Sequence, residues 1–211
     1  MHVAIIGLGM SARAYLLDAS DWRKGRQFDE VWTLNRGGTI YRADRVFRMD
    51  DYHLMEAKGE GEQFINEELV KASYDGVRVY TSAQYTETGG WSAFPIQHFL
   101  EKFGDTYVNS SVPYMLGFAY MEGFDEVSLY GMDYSYNVTD LTGKGIAPTF
   151  AEEGRSCTEY WVGKLRGLGV KVNVPKTTTL MSACRPPTLY GYADGGKEAV
   201  GAWRRGKEEL L

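Results

Sequence analysis

Runs of apolar residues separated by polar, glycine-containing turns predict alternating strands and helices. The run from Val3 to Ile6 is typical of a parallel strand that helices cover on both faces. After a turn at Gly7-Leu8-Gly9, apolar residues return at helical spacing. The inner stripe of this first helix is predicted to comprise Ala12, Tyr15, Leu16 and Ala19. The stretch 2–18 thus predicts the first strand, turn and helix of a nucleotide-binding sheet.

The same alternation continues along the chain. Further strands are predicted at 30–35, 44–49, 77–81, 126–130 and 170–174, and further helices at 60–72 and 92–103. Another helix is expected after Ser110 or Ser111, and Ser156-x-x-Glu159 matches a capping box for a last helix that ends at Gly169. Strands that alternate with helices predict an α/β, Rossmann-like domain with a mostly parallel sheet and helices on both faces.

The turn after the first strand carries the first candidate chemistry. Gly7, Gly9 and Ala12 satisfy the pattern G-x-G-x-x-[GA], and Ser11 adds a hydroxyl where a helix cap is expected. Unpaired amides and the positive end of a helix converge where glycines let a ligand approach the backbone. We therefore expect a phosphate at this turn; the alternative is that the glycines serve only a tight turn.

The end of the second predicted strand offers a second candidate contact. Asn35-Arg36 stand where a dinucleotide fold usually recognises the ribose. An Asp or Glu there would suit the ribose hydroxyls of NAD, whereas Asn-Arg suits a 2′-phosphate or a different nucleotide. Asp50-Asp51 follow the third strand, and a helix cap and a site role are both open for them.

Gly131-Met132-Asp133 follow the strand at 126–130, where open α/β sheets bind ligands. Asp133 is the carboxylate that we expect to act there. It would accept hydrogen bonds from ribose or substrate hydroxyls, or hold a divalent cation such as magnesium; capping the following loop is the structural alternative. His98 is expected to be a surface or packed histidine rather than a catalyst.

Long irregular segments flank the last predicted helix. Residues 137–154 contain three glycines and no clear periodicity, which predicts a loop of the kind that often closes over a site. Residues 181–211 are expected to form a C-terminal extension, in which 197–211 form a short charged helix on the surface or on a partner subunit of a homo-oligomer. At 211 residues a single nucleotide-binding domain over 1–211 is the expectation.

Composition narrows the classes of function. Apolar residues at 44% and charged residues at 24% are ordinary for a soluble globular protein. No stretch resembles a membrane span or a signal peptide, so we expect a cytoplasmic protein. The net charge of −5 argues against a broad surface for nucleic acid or anionic membrane. Cys157 and Cys184 match no metal-ligand spacing and are expected to be free thiols.

The motifs in order resemble those of the glycosyltransferase family 42 sialyltransferases. The resemblance lies in five segments across 1–180: Gly7-Leu-Gly-Met-Ser11, Leu34-Asn35, Ala43-Asp-Arg-Val-Phe47, Asn109-Ser-Ser-Val-Pro-Tyr-Met115 and Gly123-Phe-Asp-Glu-Val-Ser-Leu-Tyr-Gly-Met-Asp133. The 6-hydroxymethylpterin diphosphokinase-like group, and phage and bacterial proteins of about this length, are also similar. In the sialyltransferases the matching positions surround a cytidine nucleotide donor. The resemblance implies such contacts at Gly7, Gly9, Asn35, Ser110, Ser111, Gly131 and Asp133, with Tyr134 and Tyr136 near the leaving phosphate.

The sequence departs from that family at the general base. The family places a histidine near the end of the mobile loop, where this chain has Ala151-Glu-Glu-Gly-Arg-Ser156, and no histidine follows His98. Either Glu152, Glu153 or Glu159 accepts the proton, or sugar transfer is absent. Helix N-termini and either Arg36 or Arg155 are expected to stabilise the departing phosphate.

Three hypotheses for the function follow. The first is a nucleotide- or nucleotide-sugar-binding transferase of a glycosyl or phosphate-containing group, with Asp133, Glu153 and Arg155 as catalytic residues. The second is an NADP-dependent oxidoreductase, suggested by the glycine turn with Asn35-Arg36. The third is a nucleotide-binding protein without catalysis. All three expect a small-molecule nucleotide as the partner.

Overall fold

A computed structural model describes residues 1–20, 27–134, 148–181, 197–198 and 201–202. The chain divides into two compact units, residues 1–180 and residues 181–211. Every strand and helix discussed below lies in the first unit. Within the described residues, no helix is long and apolar enough to cross a membrane.

The first unit is built around a seven-stranded sheet in which every neighbouring pair is parallel. The strands are β1 (His2–Ile6), β2 (Glu30–Leu34), β3 (Arg45–Arg48), β4 (Arg78–Thr81), β5 (Ser92–Ala93), β6 (Glu126–Tyr130) and β7 (Lys171–Asn173). Their order across the sheet is β5-β4-β3-β2-β1-β6-β7. The predicted α/β, Rossmann-like fold is confirmed.

Six helices accompany the sheet in the described part of the chain. They are α1 (Arg13–Ser20), α2 (Tyr52–Glu56), α3 (Glu60–Tyr74), α4 (Ile96–Phe103), α5 (Ser111–Met121) and α6 (Pro148–Gly167). Alternating side chains of the strands divide between the two faces. On one face Ala4 and Ile6 pack near α1, and Val46 packs against Leu69 of α3. On the other face Phe47 contacts Phe118 of α5, and α4 and α6 pack on α5.

The helix boundaries correct three expectations. Ser92–Ala93 form the short edge strand β5, and the helix predicted from residue 92 begins at Ile96. The last helix begins at Pro148, so the predicted capping box at Ser156 lies inside α6. The long loop predicted over 137–154 is helical from 148 onward, and its earlier part lies outside the described residues.

The first helix also differs from its predicted orientation. Ala12 and Tyr15 pack inward as expected, whereas Leu16 is 55% exposed and Ala19 is exposed. No residue of α1 is fully buried. The helix contacts the core through Ala14 and Tyr15 of its first turn. The Tyr15 ring lies 6.0 Å from that of Phe28 and 5.6 Å from that of Tyr130.

A charged cluster joins α6 to the end of α4. The Asp105 carboxylate accepts hydrogen bonds from Lys164 Nζ at 2.7 Å, from the Tyr160 hydroxyl at 2.5 Å and from the Tyr107 amide at 2.8 Å. The Lys164 ammonium also lies over the ring of Trp161, 4.9 Å from its centroid. Burial alone would raise the pKa of Asp105, but these hydrogen bonds outweigh it and lower the pKa to about 2.

This depressed pKa predicts a measurable acid sensitivity. A carboxylate with a lowered folded-state pKa contributes stability above its unfolded pKa of about 3.9, and that contribution is lost as the pH falls through that value toward about 2. We expect urea unfolding to show that the wild-type protein loses about 1 kcal/mol more than Asp105→Asn between about pH 5.5 and pH 3. Equal losses in the two proteins would contradict the role assigned to this carboxylate.

Candidate functional site

A cleft of about 670 Å³ opens at the carboxyl ends of the central strands. It lies where the strand order reverses, since β2 to β5 extend from one side of β1 while β6 and β7 extend from the other. Open α/β sheets bind their ligands at such a switch point. The lining residues come from five segments: Gly7 to Met10, Leu34 and Asn35, Met49 and Asp50, Asn109 to Val112 with Tyr114, and Gly131 to Tyr134.

The glycine turn packs tightly against the segment after β6. The Gly7 amide donates to the Tyr130 carbonyl at 2.7 Å, and the Gly9 amide donates to the Gly131 carbonyl at 2.9 Å. A Cβ at Gly9 would lie 2.5 Å from Asp133 Oδ2 and 2.8 Å from the Gly131 oxygen. These glycines therefore allow two chain segments to approach each other at the floor of the cleft.

The Asp133 side chain contacts the start of the short 3-10 segment Met10–Ala12, which follows the glycine turn. Its Oδ2 accepts a hydrogen bond from the Ser11 amide at 2.7 Å, and the Ser11 hydroxyl accepts one from the Gly131 amide at 3.1 Å. The amides of Gly7, Gly9 and Ser11, where the sequence predicts a phosphate, thus already have acceptors within the protein. Ser11 is 3% exposed and contacts Asp133 rather than the cleft.

Two oxygen atoms of the cleft lining are buried without a hydrogen-bond partner. They are Oδ1 of Asp133, a residue that is 8% exposed, and Oδ1 of Asn35. An acceptor that is removed from water and left unpaired costs about 1–3 kcal/mol. Unpaired polar atoms of this kind call for an explanation, and a ligand that donates hydrogen bonds is one.

Backbone strain concentrates at the same place. Asn35 has a φ of 49°, Ser110 of 142° and Tyr134 of 46°. Three of the four non-glycine residues with positive φ in the described part of the chain therefore line the cleft. Such conformations cost of order 1–3 kcal/mol each and cluster at functional sites, where the surrounding structure enforces them.

The N-terminus of α5 opens into the cleft without a side-chain cap. Ser110 is the N-cap residue, and its side chain makes no capping hydrogen bond. Ser110, Ser111 and Val112, at the start of this helix, all line the cleft. The first amides of a helix have no intrahelical acceptor and carry the positive end of its dipole. The cleft therefore contains an uncapped helix start with two serine hydroxyls.

Among the described residues that line the cleft, the charged side chains are all acidic. Asp50 and Asp133 line it, and none of the described lining residues is Lys, Arg or His. Within the described residues, no group of three or more His, Cys, Asp or Glu side chains is placed to hold a metal ion. Asp51, beside Asp50, caps α2, because its carboxylate accepts a hydrogen bond from the Leu54 amide at 2.9 Å. Of the two roles left open for this acidic pair, Asp51 therefore has that of a helix cap.

The structure brings most of the predicted binding residues together. Eight of them line the cleft: Gly7, Gly9, Asn35, Ser110, Ser111, Gly131, Asp133 and Tyr134. Arg36 does not; it lies exposed on the 3-10 turn Asn35–Thr39, outside the lining. Tyr136 lies outside the described residues.

The predicted catalytic residues of α6 lie at or beyond the rim. Glu153 is exposed and accepts a hydrogen bond at 2.7 Å from Asn109, which lines the cleft. Arg155 pairs with Glu159 one helical turn further on, with Nε and Oε1 2.9 Å apart, and neither residue lines the cleft. Glu152 is exposed.

Two threonines near the site were not predicted from the sequence. The Thr178 hydroxyl donates to the Met132 carbonyl at 2.6 Å. Thr158 is fully buried on α6, with its hydroxyl 2.6 Å from that of Tyr134. The sequence contains one sign of a special role for Thr158: it is a polar residue at helical spacing from the apolar residues Trp161 and Val162.

Comparison with known proteins identifies no family by sequence. No family model matches the chain, and no curated protein matches it.

Among the solved structures with a similar fold are two of sialyltransferases. One is CstII from Campylobacter jejuni in complex with the substrate analogue CMP-3FNeuAc, at 15% identity and a TM-score of 0.47, covering 86% of this chain and 83% of that one. Another is CST-II with a trisaccharide acceptor and CMP, at 15% identity and a TM-score of 0.46, covering 87% and 84%. At these TM-scores the likeness assigns no role to any residue here. Nothing found supports the resemblance to the pterin group.

Proposed function

We propose that the cleft binds a nucleotide or nucleotide-activated donor, and that the protein transfers a glycosyl or phosphate-containing group from it. The observation that carries this proposal is the pairing, within one cleft, of two unpartnered buried acceptors with an uncapped helix N-terminus. A nucleotide fits both features. Its sugar and base can donate hydrogen bonds to the two acceptors, and its phosphate is an anion that suits the start of the helix.

The nucleoside part is assigned to the side of Asn35 and Asp133. Their free Oδ1 atoms need donors, which ribose hydroxyls or an amino group of the base would provide. Carboxylates at the ends of such strands commonly bind ribose hydroxyls. This contact would also remove the cost of the unpaired acceptors.

The phosphate is assigned to the start of α5. Amides at a helix N-terminus bind anions readily, and the Ser110 and Ser111 hydroxyls can donate as well. The glycine turn is the less suitable position, because its amides at Gly7, Gly9 and Ser11 already donate to the protein and Asp133 brings negative charge there. A dinucleotide held in the NADP manner is disfavoured for the same reason.

The transfer step would use groups from both sides of the cleft. Asp133 orients the donor. Glu153, which is held at the rim of the cleft by its hydrogen bond from Asn109, accepts the proton of the incoming acceptor. Arg155 would have to leave Glu159 to reach a departing phosphate.

Binding without catalysis is the second candidate. It is favoured by one observation: the described cleft lining contains no histidine or cationic side chain, and the proposed base lies at the rim. Under this reading the protein binds the same nucleotide and leaves it intact.

Thermal unfolding with a panel of nucleotides tests the proposal. The panel is CMP, CDP, UDP, GDP, ATP and NADP at millimolar concentration, each with and without magnesium. CMP is included because solved structures above contain it. We expect a selective rise in melting temperature with a pyrimidine nucleotide. A ligand at 100 times its Kd stabilises the folded state by about 2.7 kcal/mol.

The other outcomes of the panel separate the hypotheses. A rise with NADP alone would favour the oxidoreductase. No rise with any nucleotide would contradict the proposed function. Chromatography of an incubated CMP-sugar then distinguishes transfer or hydrolysis from binding without consumption.

A further inference from the structure

Besides the Glu153–Asn109 hydrogen bond, helix α6 contacts the wall of the cleft through the hydroxyl of Thr158. Thr158 Oγ1 lies 2.6 Å from the Tyr134 hydroxyl, which in turn lies 3.5 Å from the Ser110 hydroxyl. Gly154, one turn before Thr158, lets the Tyr134 ring approach the helix, because a Cβ there would lie 3.0 Å from that ring. Three elements of the fold therefore meet at the Tyr134 side chain.

The hydroxyl of Thr158 is unusual for its position. Thr158 is fully buried, as are Trp161, Val162 and Leu165 on the same stripe of α6. A valine would fill the same space and avoid the cost of burying a polar group, unless the hydroxyl makes a hydrogen bond that matters. The contact with Tyr134 is that hydrogen bond.

Tyr134 needs external support in its observed conformation. Its φ of 46° is one that L-residues with large side chains rarely adopt. Its side chain faces the cleft beside Ser110, the uncapped N-cap residue of α5. A neighbour that holds the phenol from behind would fix both the strained backbone and the direction of the hydroxyl.

We propose that Thr158 is a positioning residue: it holds the Tyr134 hydroxyl beside that of Ser110, so that the two form a fixed pair for an oxygen-rich anionic group at the start of α5. This inference rests on the proposed function for the identity of the ligand. The contact itself does not depend on it. Thr158 lies behind the cleft wall and does not line the cleft.

The binding test compares substitutions that separate the hydroxyl from the methyl group. Thr158→Val keeps the shape and removes the hydroxyl, whereas Thr158→Ser keeps the hydroxyl and removes the methyl. Isothermal titration with CMP should show binding about tenfold weaker in Thr158→Val and within about twofold of wild type in Thr158→Ser. In a Tyr134→Phe background, Thr158→Val should have no further effect, because the partner hydroxyl is already absent.

Additive effects of Thr158→Val and Tyr134→Phe on the Kd would overturn the proposal, as would equal weakening by Thr158→Val and Thr158→Ser. Either result would mean that Thr158 acts through packing alone.

A ligand-free measurement keeps the inference separate from the proposed function. With 3-fluorotyrosine at position 134, the fluorine resonance should move in Thr158→Val and stay in place in Thr158→Ser. An unmoved resonance in Thr158→Val would overturn the positioning role, whatever binds. If no nucleotide binds wild type but the resonance behaves as expected, the proposed function fails and the positioning contact stands.

Discussion

Asp133→Asn is expected to weaken nucleotide binding by about tenfold to a hundredfold while the protein remains folded. One carboxylate oxygen accepts a hydrogen bond from the Ser11 amide, and the other is buried in the cleft lining without a hydrogen-bond partner. An amide has only one oxygen, so in the variant an NH₂ group must face either the Ser11 amide or the donors of the ligand. Losing one hydrogen bond to a charged acceptor costs about 1.5–3 kcal/mol, which corresponds to the predicted change in Kd.

The matched control for this substitution is Asp75→Asn. Asp75 is the exposed residue after α3, at the end of the sheet opposite the cleft, and it undergoes the same chemical change. Titration calorimetry with the best nucleotide of the panel should give wild-type affinity for it. Wild-type affinity in Asp133→Asn as well would remove Asp133 from the binding site.

Gly9→Ala should destabilise the protein by about 1–3 kcal/mol, the usual cost of overpacking, and abolish nucleotide binding. The added Cβ would lie 2.5 Å from Asp133 Oδ2 and 2.8 Å from the Gly131 carbonyl oxygen, well inside contact distance. Gly131 has a φ of 68° and closes tightly on Gly7, so its backbone has little freedom to yield. The segment carrying Asp133 must therefore shift away from β1, which costs both packing and the floor of the cleft.

Gly163→Ala provides the comparison within a helix. A Cβ at Gly163, inside α6, would meet no atom within 4 Å. We expect this variant to be more stable than wild type by about 0.5–1 kcal/mol, because alanine favours the helix and restricts the unfolded chain. Urea unfolding of the two variants measures both effects, and a Gly9→Ala protein of wild-type stability would contradict the tight packing of the turn.

The strands and the position of the cleft could be predicted because their signals are local. Apolar runs such as Val3 to Ile6 indicate buried parallel strands, and polar residues directly after them indicate a ligand edge. Asn35, Ser110 and Asp133 each follow or precede such an element, and they meet in one cleft.

The partners of the glycine turn could not be predicted, because they lie far away in the chain. The motif indicates free amides, but whether a phosphate or a carboxylate meets them depends on residue 133, which lies 122 positions from Ser11. Arg36 follows Asn35 directly and was expected beside it, yet the 3-10 turn directs it to solvent. The start of α6 was missed because Gly154 lies within the helix at a close contact, where glycine usually indicates a loop.

The position of β1 inside the sheet, with a neighbour on each edge, has a consequence for synthesis of the chain. One edge of β1 pairs with β2, which is synthesised soon after it, but the other edge pairs with β6, whose first residue is Glu126. At about 5–20 residues per second, that apolar edge stays open for roughly 6–25 seconds. Open strand edges template wrong pairings, so this interval exposes the nascent chain to aggregation. The two walls of the cleft cannot meet until it ends.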